Sequence, residues 1–421
     1  MPILGFRHTA NFVTNERPEN WRQAILREYP NGTAPLFALT SLMKSESTDD
    51  PVFHWWQKNF DNRRLKFTGA LTNVATAVTI DATFKSAFIV KMGDMLLIEG
   101  SGEIVTVTSD PTVSTALVVT RAQAGTTGTA IDAGVAGTNF YMTVIGSAYE
   151  EGSLAPSGVN YDPNEVYNYT QIFRNTLEMT RTASKTKLRT GDQVKEAKRE
   201  CLEIHSTDIE RALWFSKKST GTKNSKPYRT TDGVEAQIIN GAPSNVIAAV
   251  TGGGVTLTAP GIINMNWVEY AMELVFRRGG SEKMMFTSNA VMLAINQVAR
   301  RNSVYNITGG EKEYGMRVSR LVSPFGELVI KTHPLFNDMR GGTNGGTSFT
   351  SKANNAYILD MGEFIYRHFT GDDMRYEKDL TPVGLDGMKS GYLTEMGVEL
   401  HHPSYHFIWT GIIGGAEDPA A

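Results

Sequence analysis

From Asp192 to Lys218 the chain carries no proline, and Val194, Ala197, Cys201, Leu202, His205, Ile209, Ala212, Leu213 and Ser216 recur at steps of three and four. That spacing places them on one stripe of an α-helix, because side chains three and four residues apart lie on the same face. Lys195, Lys198, Arg199, Glu203 and Glu210 fall mostly off the stripe. Thr190 and Asp192 suit the start of such a helix, and Lys217 and Lys218 suit its negative end. At ~1.5 Å per residue the helix would span ~40 Å. That is longer than a small compact domain needs.

The rest of the chain divides by texture. Residues 1–60 read as an arm with one short helix over 20–29, broken by Pro30, Asn31 and Gly32, followed by Phe53, Trp55, Trp56 and Phe60. These aromatics fit core filling and an anchor against a neighbouring subunit equally well. From about Gly69 to Ser147 the residues turn to Thr, Val, Ala and Gly, with alternating runs at 74–80, 96–98, 104–108, 117–121 and 141–145. Short strands between Gly, Asp and Pro breakers predict a small β-sandwich or barrel of about six strands. Between 233 and 370, helices are expected at 266–278 and 288–302 beside a strand at 283–287. A hairpin is expected over 316–332, turning through Ser323-Pro324-Phe325-Gly326, a type I pattern.

This order of segments resembles the major capsid proteins of tailed bacteriophages with the Hong Kong 97-like fold, in the branch with a β-rich insertion in the extended loop. The junction VYNYTQIFRNTLEMTRTA followed by TGDQVKEAKRECLEIHSTDIERALWF looks like that family's extended-loop strand returning into its spine helix. Arg229, Thr230, Thr231, Asp232 and Gly233 resemble its exit motif, with Asp232 where a glycine is usual. The runs 321–336, 357–369 and 379–412 are similar to the later hairpin and closing strands. The resemblance implies an α+β fold with an N-terminal arm (1–60) and an extended loop (61–185) carrying the insertion (about 69–147). It further implies a peripheral domain with the spine helix (186–232), an axial domain (233–372) and closing peripheral strands (373–421).

Composition sets outer limits. The 421 residues allow two or three domains with real cores, and a formal net charge of −3 argues against a surface that is a nucleic-acid binder all over. A local basic set remains. Lys185, Lys187 and Arg189 lead into the helix and Lys195, Lys198 and Arg199 ride on it, either as a solvated face or as partial neutralisation of packaged double-stranded DNA. The single cysteine, Cys201, excludes an intrachain disulfide and sits on the apolar stripe, where a buried thiol is expected. The N-terminus lacks the basic and apolar regions of a secretory signal, and no run reaches the ~18 apolar residues of a membrane span. Assembly in a host bacterial cytoplasm is expected, with no membrane partner.

Candidate chemistry is thin. Glu203, His205, Asp208 and Glu210 converge at most in pairs on a helix, where zinc takes three or four ligands. His401, His402 and His406 are interrupted by Pro403 and suit a buried or interface role better than a metal. The glycine-rich tracts at 251–255 and 341–348 lack the Lys-Ser/Thr ending of a phosphate cradle, and there is no G-x-S-x-G or H-E-x-x-H. No catalytic residue, cofactor or metal is therefore assigned.

The expected function is that of a major capsid protein forming hexamers and pentamers of an icosahedral head. Its expected partners are copies of itself, the portal, scaffolding and decoration proteins of the same phage, and the genome. A β-rich adhesion or tail protein and a hydrolase remain as alternatives. If the stripe is a core element, Ile209→Asp places a charge in apolar surroundings at a cost of several kcal/mol. The expected outcome is insoluble or assembly-incompetent protein, checked by fractionation and negative-stain electron microscopy.

Overall fold

A computed structural model describes residues 44–58, 62–131, 141–186, 192–252, 255–302, 307–313, 316–339, 343–344, 347–348 and 351–416. The short helix expected over 20–29, and Lys187 and Arg189, lie outside the described residues. The chain forms two compact units: Trp56–Glu165, and Met1–Trp55 with Val166–Ala421.

The smaller unit is a closed six-stranded barrel. Its strands run Arg64–Thr68, Ala77–Ile80, Ala116–Thr120, Ile104–Val107, Asp94–Ile98 and Tyr141–Ser147 in order around the wall. Alternate residues point inward, so Leu65, Phe67, Val78, Ile80, Leu96, Ile98, Val105, Val107, Leu117, Val119 and Met142 are all buried in one cluster. The strand Arg64–Thr68 lies before the region that reads as β-rich, because its outward positions are charged. It pairs with both Ala77–Ile80 and Tyr141–Ser147 and so leaves the sheet without an open edge.

One buried ion pair ties down the barrel's loops. Arg121 donates from Nε to Glu103 Oε1 (2.7 Å) and from Nη2 to Oε2 (2.5 Å), and its remaining donors reach the Thr72 and Thr129 carbonyls. Glu103 also accepts from the Ala122 and Thr129 amides, both at 3.0 Å. Burial disfavours ionisation of Glu103, but these charge-assisted bonds outweigh it and hold the carboxyl at about 2.

The larger unit is built on a seven-stranded sheet ordered Val246–Ala248, Phe407–Thr410, Ala356–Leu359, Glu282–Thr287, Gly326–Thr332, Met316–Ser323 and Ile307–Glu313. Its central strands are apolar without alternation because both faces are covered. Met285, Leu328, Ile330, Ala356, Ile358, Phe407 and Trp409 face one core with the helices Met265–Phe276 and Asn289–Asn302. Their neighbours Met284, Phe286, Val329, Tyr357, Leu359 and Ile408 face a second core with Ile209, Leu213 and Trp214.

A second sheet lines up Ser45–Thr48, Phe364–Phe369, Gly387–Leu400 and Gln171–Thr180, with Arg375–Glu377 also paired to the long strand. Its residues Phe173, Phe364, Tyr366, Met396, Val398 and Leu400 complete the second core. The pairing cuts across the boundaries expected from the sequence. Phe364–Phe369, expected within 233–372, belongs to the five-stranded sheet, and Phe407–Thr410, expected among the closing strands, belongs to the seven-stranded one. The reason is burial: Phe407 and Trp409 on one face and Ile408 on the other need apolar cover on both sides.

Residues 62–149 expressed alone are expected to be soluble, with a β-type circular dichroism spectrum and a cooperative melt. Because the folded Glu103 carboxyl sits below its unfolded value, its contribution is present above about pH 4.5 and is lost as pH falls towards about 2. That loss is ~3 kcal/mol by linkage. Glu103→Gln should start less stable and lack this part of the acid limb. A random-coil spectrum for the fragment would show that the barrel depends on the rest of the chain.

Candidate assembly surfaces

The long helix runs Gln193–Phe215, and Asp192 caps it by accepting from the Val194 (3.0 Å) and Lys195 (3.4 Å) amides. It ends at Ser216, before Lys217 and Lys218, whose chain turns away. It packs on Gln171–Thr180 and Gly387–Leu400. Asn175 organises that contact: its Oδ1 faces His205 Nδ1 at 2.7 Å, its Nδ2 donates to Asp208 (3.0 Å), and its carbonyl accepts from the Cys201 thiol (3.5 Å). His205 Nε2 lies 2.8 Å from Thr394 Oγ1. Burial lowers the His205 pKa, which keeps the ring neutral, with Nδ1 donating and Nε2 accepting. Burial also pushes the Cys201 thiol up, away from reactivity.

The stripe holds at Cys201, His205, Ile209 and Leu213, but Glu210, expected off it, is fully buried, as is Trp214. Glu210 Oε1 accepts from Trp214 Nε1 (2.9 Å) and sits 2.7 Å from His333 Nε2. His333 stacks on Phe336 with ring centres 4.2 Å apart. A carboxylate on the polar side of a helical wheel is drawn inside because another element supplies its partner. The spacing of Glu210 and Trp214 is visible in the sequence, whereas His333 is not.

The exit of the helix is clasped by Asn168. Its Nδ2 donates to the Asp232 carbonyl (3.1 Å) and the Val398 carbonyl (2.7 Å), and its Oδ1 accepts from the Asp232 and Tyr169 amides, both at 2.8 Å. All four capacities of a fully buried amide are thus used. Next to it, a Cβ on Gly233 would lie 2.9 Å from the Ala212 carbonyl oxygen and 3.0 Å from that of Leu213. Glycine is needed there so that the exit can close onto the helix end, with the Gly233 amide donating to Ser216 (2.8 Å). Asp232, in place of a glycine, keeps a job: its carboxylate accepts from the Lys218 amide (3.2 Å), and burial raises its pKa.

The residues singled out from the sequence separate. Phe53 and Trp55 are buried, with ring centres 6.0 Å apart, and fill the core of their unit, whereas Trp56 is 65% exposed. Lys185 is exposed at the end of the short helix Arg181–Lys185. Lys195 and Arg199 are exposed on the long helix, and Lys198 lies over the Tyr376 ring at 5.1 Å. Of the three histidines, His401 binds Glu399 (2.5 Å), which raises its pKa, while His406 is buried and accepts from the Asp360 amide (3.1 Å). His402 turns the chain in a left-handed conformation.

The family model described as SU10 major capsid protein matches residues 7–412. The major capsid protein of Pseudomonas phage PaMx41 is 29% identical over 314 residues, covering 74% of this chain and 72% of that protein. Among solved structures, the capsid of a native GTA particle aligns with 96% of each chain at 9% identity and a TM-score of 0.43. The SrpI encapsulin of Synechococcus elongatus aligns over 62% of this chain and 79% of its own at 11% identity and a TM-score of 0.41. The molecule is a structural subunit of a phage head, self-associating into the capsid lattice of a virion. It belongs to the SU10 major capsid protein family.

Asn168→Ala would leave buried backbone groups of Asp232, Tyr169 and Val398 without this partner, at ~1–3 kcal/mol for each group not re-solvated. A loss of several kcal/mol is expected in urea unfolding. A change within ~0.5 kcal/mol would show that the clasp is dispensable.

Proposed function

We propose that copies of this chain form hexamers and pentamers in the Hong Kong 97-like manner and close into an icosahedral head around double-stranded DNA. The chain acts without an enzymatic step. It assembles in the host bacterial cytoplasm, with the portal, scaffolding and decoration proteins of the same phage. The reading is carried by the family match over nearly the whole chain, 7–412. The build suits it: a stiff helix held to a sheet by buried polar bonds keeps one subunit shape. The edge strand Ser45–Thr48, added in parallel to Phe364–Phe369, gives the preceding arm a fixed point of departure from which to reach a neighbour.

In this reading Lys185, Lys187, Arg189, Lys195, Lys198 and Arg199 face the packaged genome. Supporting it, the helix turns its apolar stripe to the core and leaves Lys195 and Arg199 in solvent. Such contacts to phosphate are weak, independent of base sequence and sensitive to salt. Phe53 and Trp55 serve the fold, which leaves Trp56 as the anchor available to a neighbouring subunit.

Purified protein, or particles from expressing cells, should show shells or capsomers by negative-stain microscopy; fibres or monomers alone would refute the reading. Lys195→Glu with Arg199→Glu should leave shell formation intact and lower the share of DNA-filled heads ~2-fold or more, through lost phosphate neutralisation. Unchanged filling, read from absorbance ratios and micrographs, would remove these residues from the genome-facing set.

A further inference from the structure

The hairpin Ser219–Lys223 with Lys226–Thr230 turns through Asn224 and Ser225, both at positive φ, and stands beside the start of Gln171–Thr180. Tyr228 lies across Gly221, where a Cβ would come within 2.5 Å of the ring, so glycine is what lets the tyrosine lie flat on the hairpin. Between hairpin and sheet is an open pocket of about 640 Å³, with Ile172, Pro227 and Tyr228 as its apolar wall and Lys223 and Arg229 among its polar lining. Ile172 is 62% exposed and Tyr228 47% exposed. Glu395, also in the lining, is engaged by the Thr170 hydroxyl (2.6 Å).

At the other end of the same pair of strands, the loop before Gly387–Leu400 presents Pro382, Val383 and Leu385. Val383 is fully exposed and Leu385 is 53% exposed. Single exposed apolar side chains are ordinary. These are adjacent, and the loop that carries them is pinned. Leu380 donates to the Lys389 carbonyl (2.8 Å), Lys389 donates to Thr381 Oγ1 (3.0 Å), and Arg181 grips Asp386 at 2.6 and 3.2 Å. The knob is therefore preorganised, which lowers the entropy cost of docking it.

We propose that the Val383–Leu385 knob of one copy docks into the Ile172–Tyr228 pocket of a neighbouring copy. Register fixes why the contact must be between copies. Gly387 pairs with Thr180 and Met396 with Gln171, so knob and pocket lie at opposite ends of one antiparallel strand pair, ~27 Å apart from Ile172 to Thr180 at ~3.4 Å per residue. Two different surfaces of one molecule that fit each other make a head-to-tail contact, the kind that closes into rings. Charge does not oppose the contact: at the knob Asp386 is paired with Arg181 and Asp379 is preceded by Lys378, and at the pocket Lys223 and Arg229 are accompanied by Glu395. The inference rests on self-association of the chain and deepens it by naming the two surfaces.

The test uses full chains. Val383→Cys and Ile172→Cys chains are co-expressed, and their particles are oxidised and run on a non-reducing gel. A dimer in the mixture that neither variant gives alone is the expected result, since native Cys201 is buried. A chain carrying both changes should give a ladder. Intact particles without a mixed dimer, or dimers from Val383→Cys alone, would overturn the contact while leaving the shell reading in place. Absence of both particles and cross-links would sink both. As a second arm, Leu385→Asp should keep the wild-type melt and lower particle yield roughly tenfold or more, as loss of an interface hot spot does. Unchanged yield would also overturn the proposal.

Discussion

The structure depends on a sheet that is buried on both faces. The strands Glu282–Thr287, Gly326–Thr332, Ala356–Leu359 and Phe407–Thr410 send alternate side chains into two separate cores, so each strand is a common wall of both. At ~25 cal/mol per Å² of apolar surface removed from water, burial on both faces lets nearly every apolar residue of these strands contribute hydrophobic stabilisation. The long helix and the five-stranded sheet then have an apolar surface to pack against. Trp214 sits at that junction, with its ring near those of Phe286, Phe336 and Tyr357.

Polar groups placed inside this framework fix its geometry. An apolar interface alone tolerates sliding, because dispersion and hydrophobic terms have little direction. Glu210 with His333, Asn168 with Asp232, and His205 with Asn175 each leave an unpaired buried group if their elements shift. Lys283 works the same way. Its Nζ donates to the carbonyls of Val275 (2.8 Å), Arg278 (2.7 Å) and Tyr405 (2.7 Å), joining the end of one helix to a distant turn. Burial lowers its pKa to about 8, yet three carbonyl partners compensate the desolvated charge. For a shell subunit, a body that resists shear makes the position of each docking surface reproducible from copy to copy.

The barrel obeys a different logic. Its core is its own, closure leaves no strand edge to pair with another chain, and its loops are tied by Glu103 and Arg121. A unit of this kind can be carried by a shell subunit without offering a route to aggregation. Assembly function is then spread over surfaces, and the informative residues are exposed apolar ones such as Trp56, Val383 and Leu385.

What the sequence determined by itself was local. The three-and-four spacing of Cys201, His205, Ile209 and Leu213 marks a helix face, the alternation at 74–80 and 117–121 marks strands, and Ser323 to Gly326 marks a turn. Each depends on neighbours within a few residues, and each is found, although the first strand begins only at Ala77 because Asn73 and Val74 form an exposed turn. The order of these segments also carried the family resemblance, since order survives when identity falls. Tertiary structure decided what depends on partners far along the chain. Glu210 is inside because His333 comes to meet it, and Asn168 is a clasp because Asp232 and Val398 converge on it. Arg64–Thr68 closes a barrel despite its charged outer face. Phe364–Phe369 and Phe407–Thr410 take their sheets according to which faces are left to cover, and that competition is settled only when the whole chain has packed.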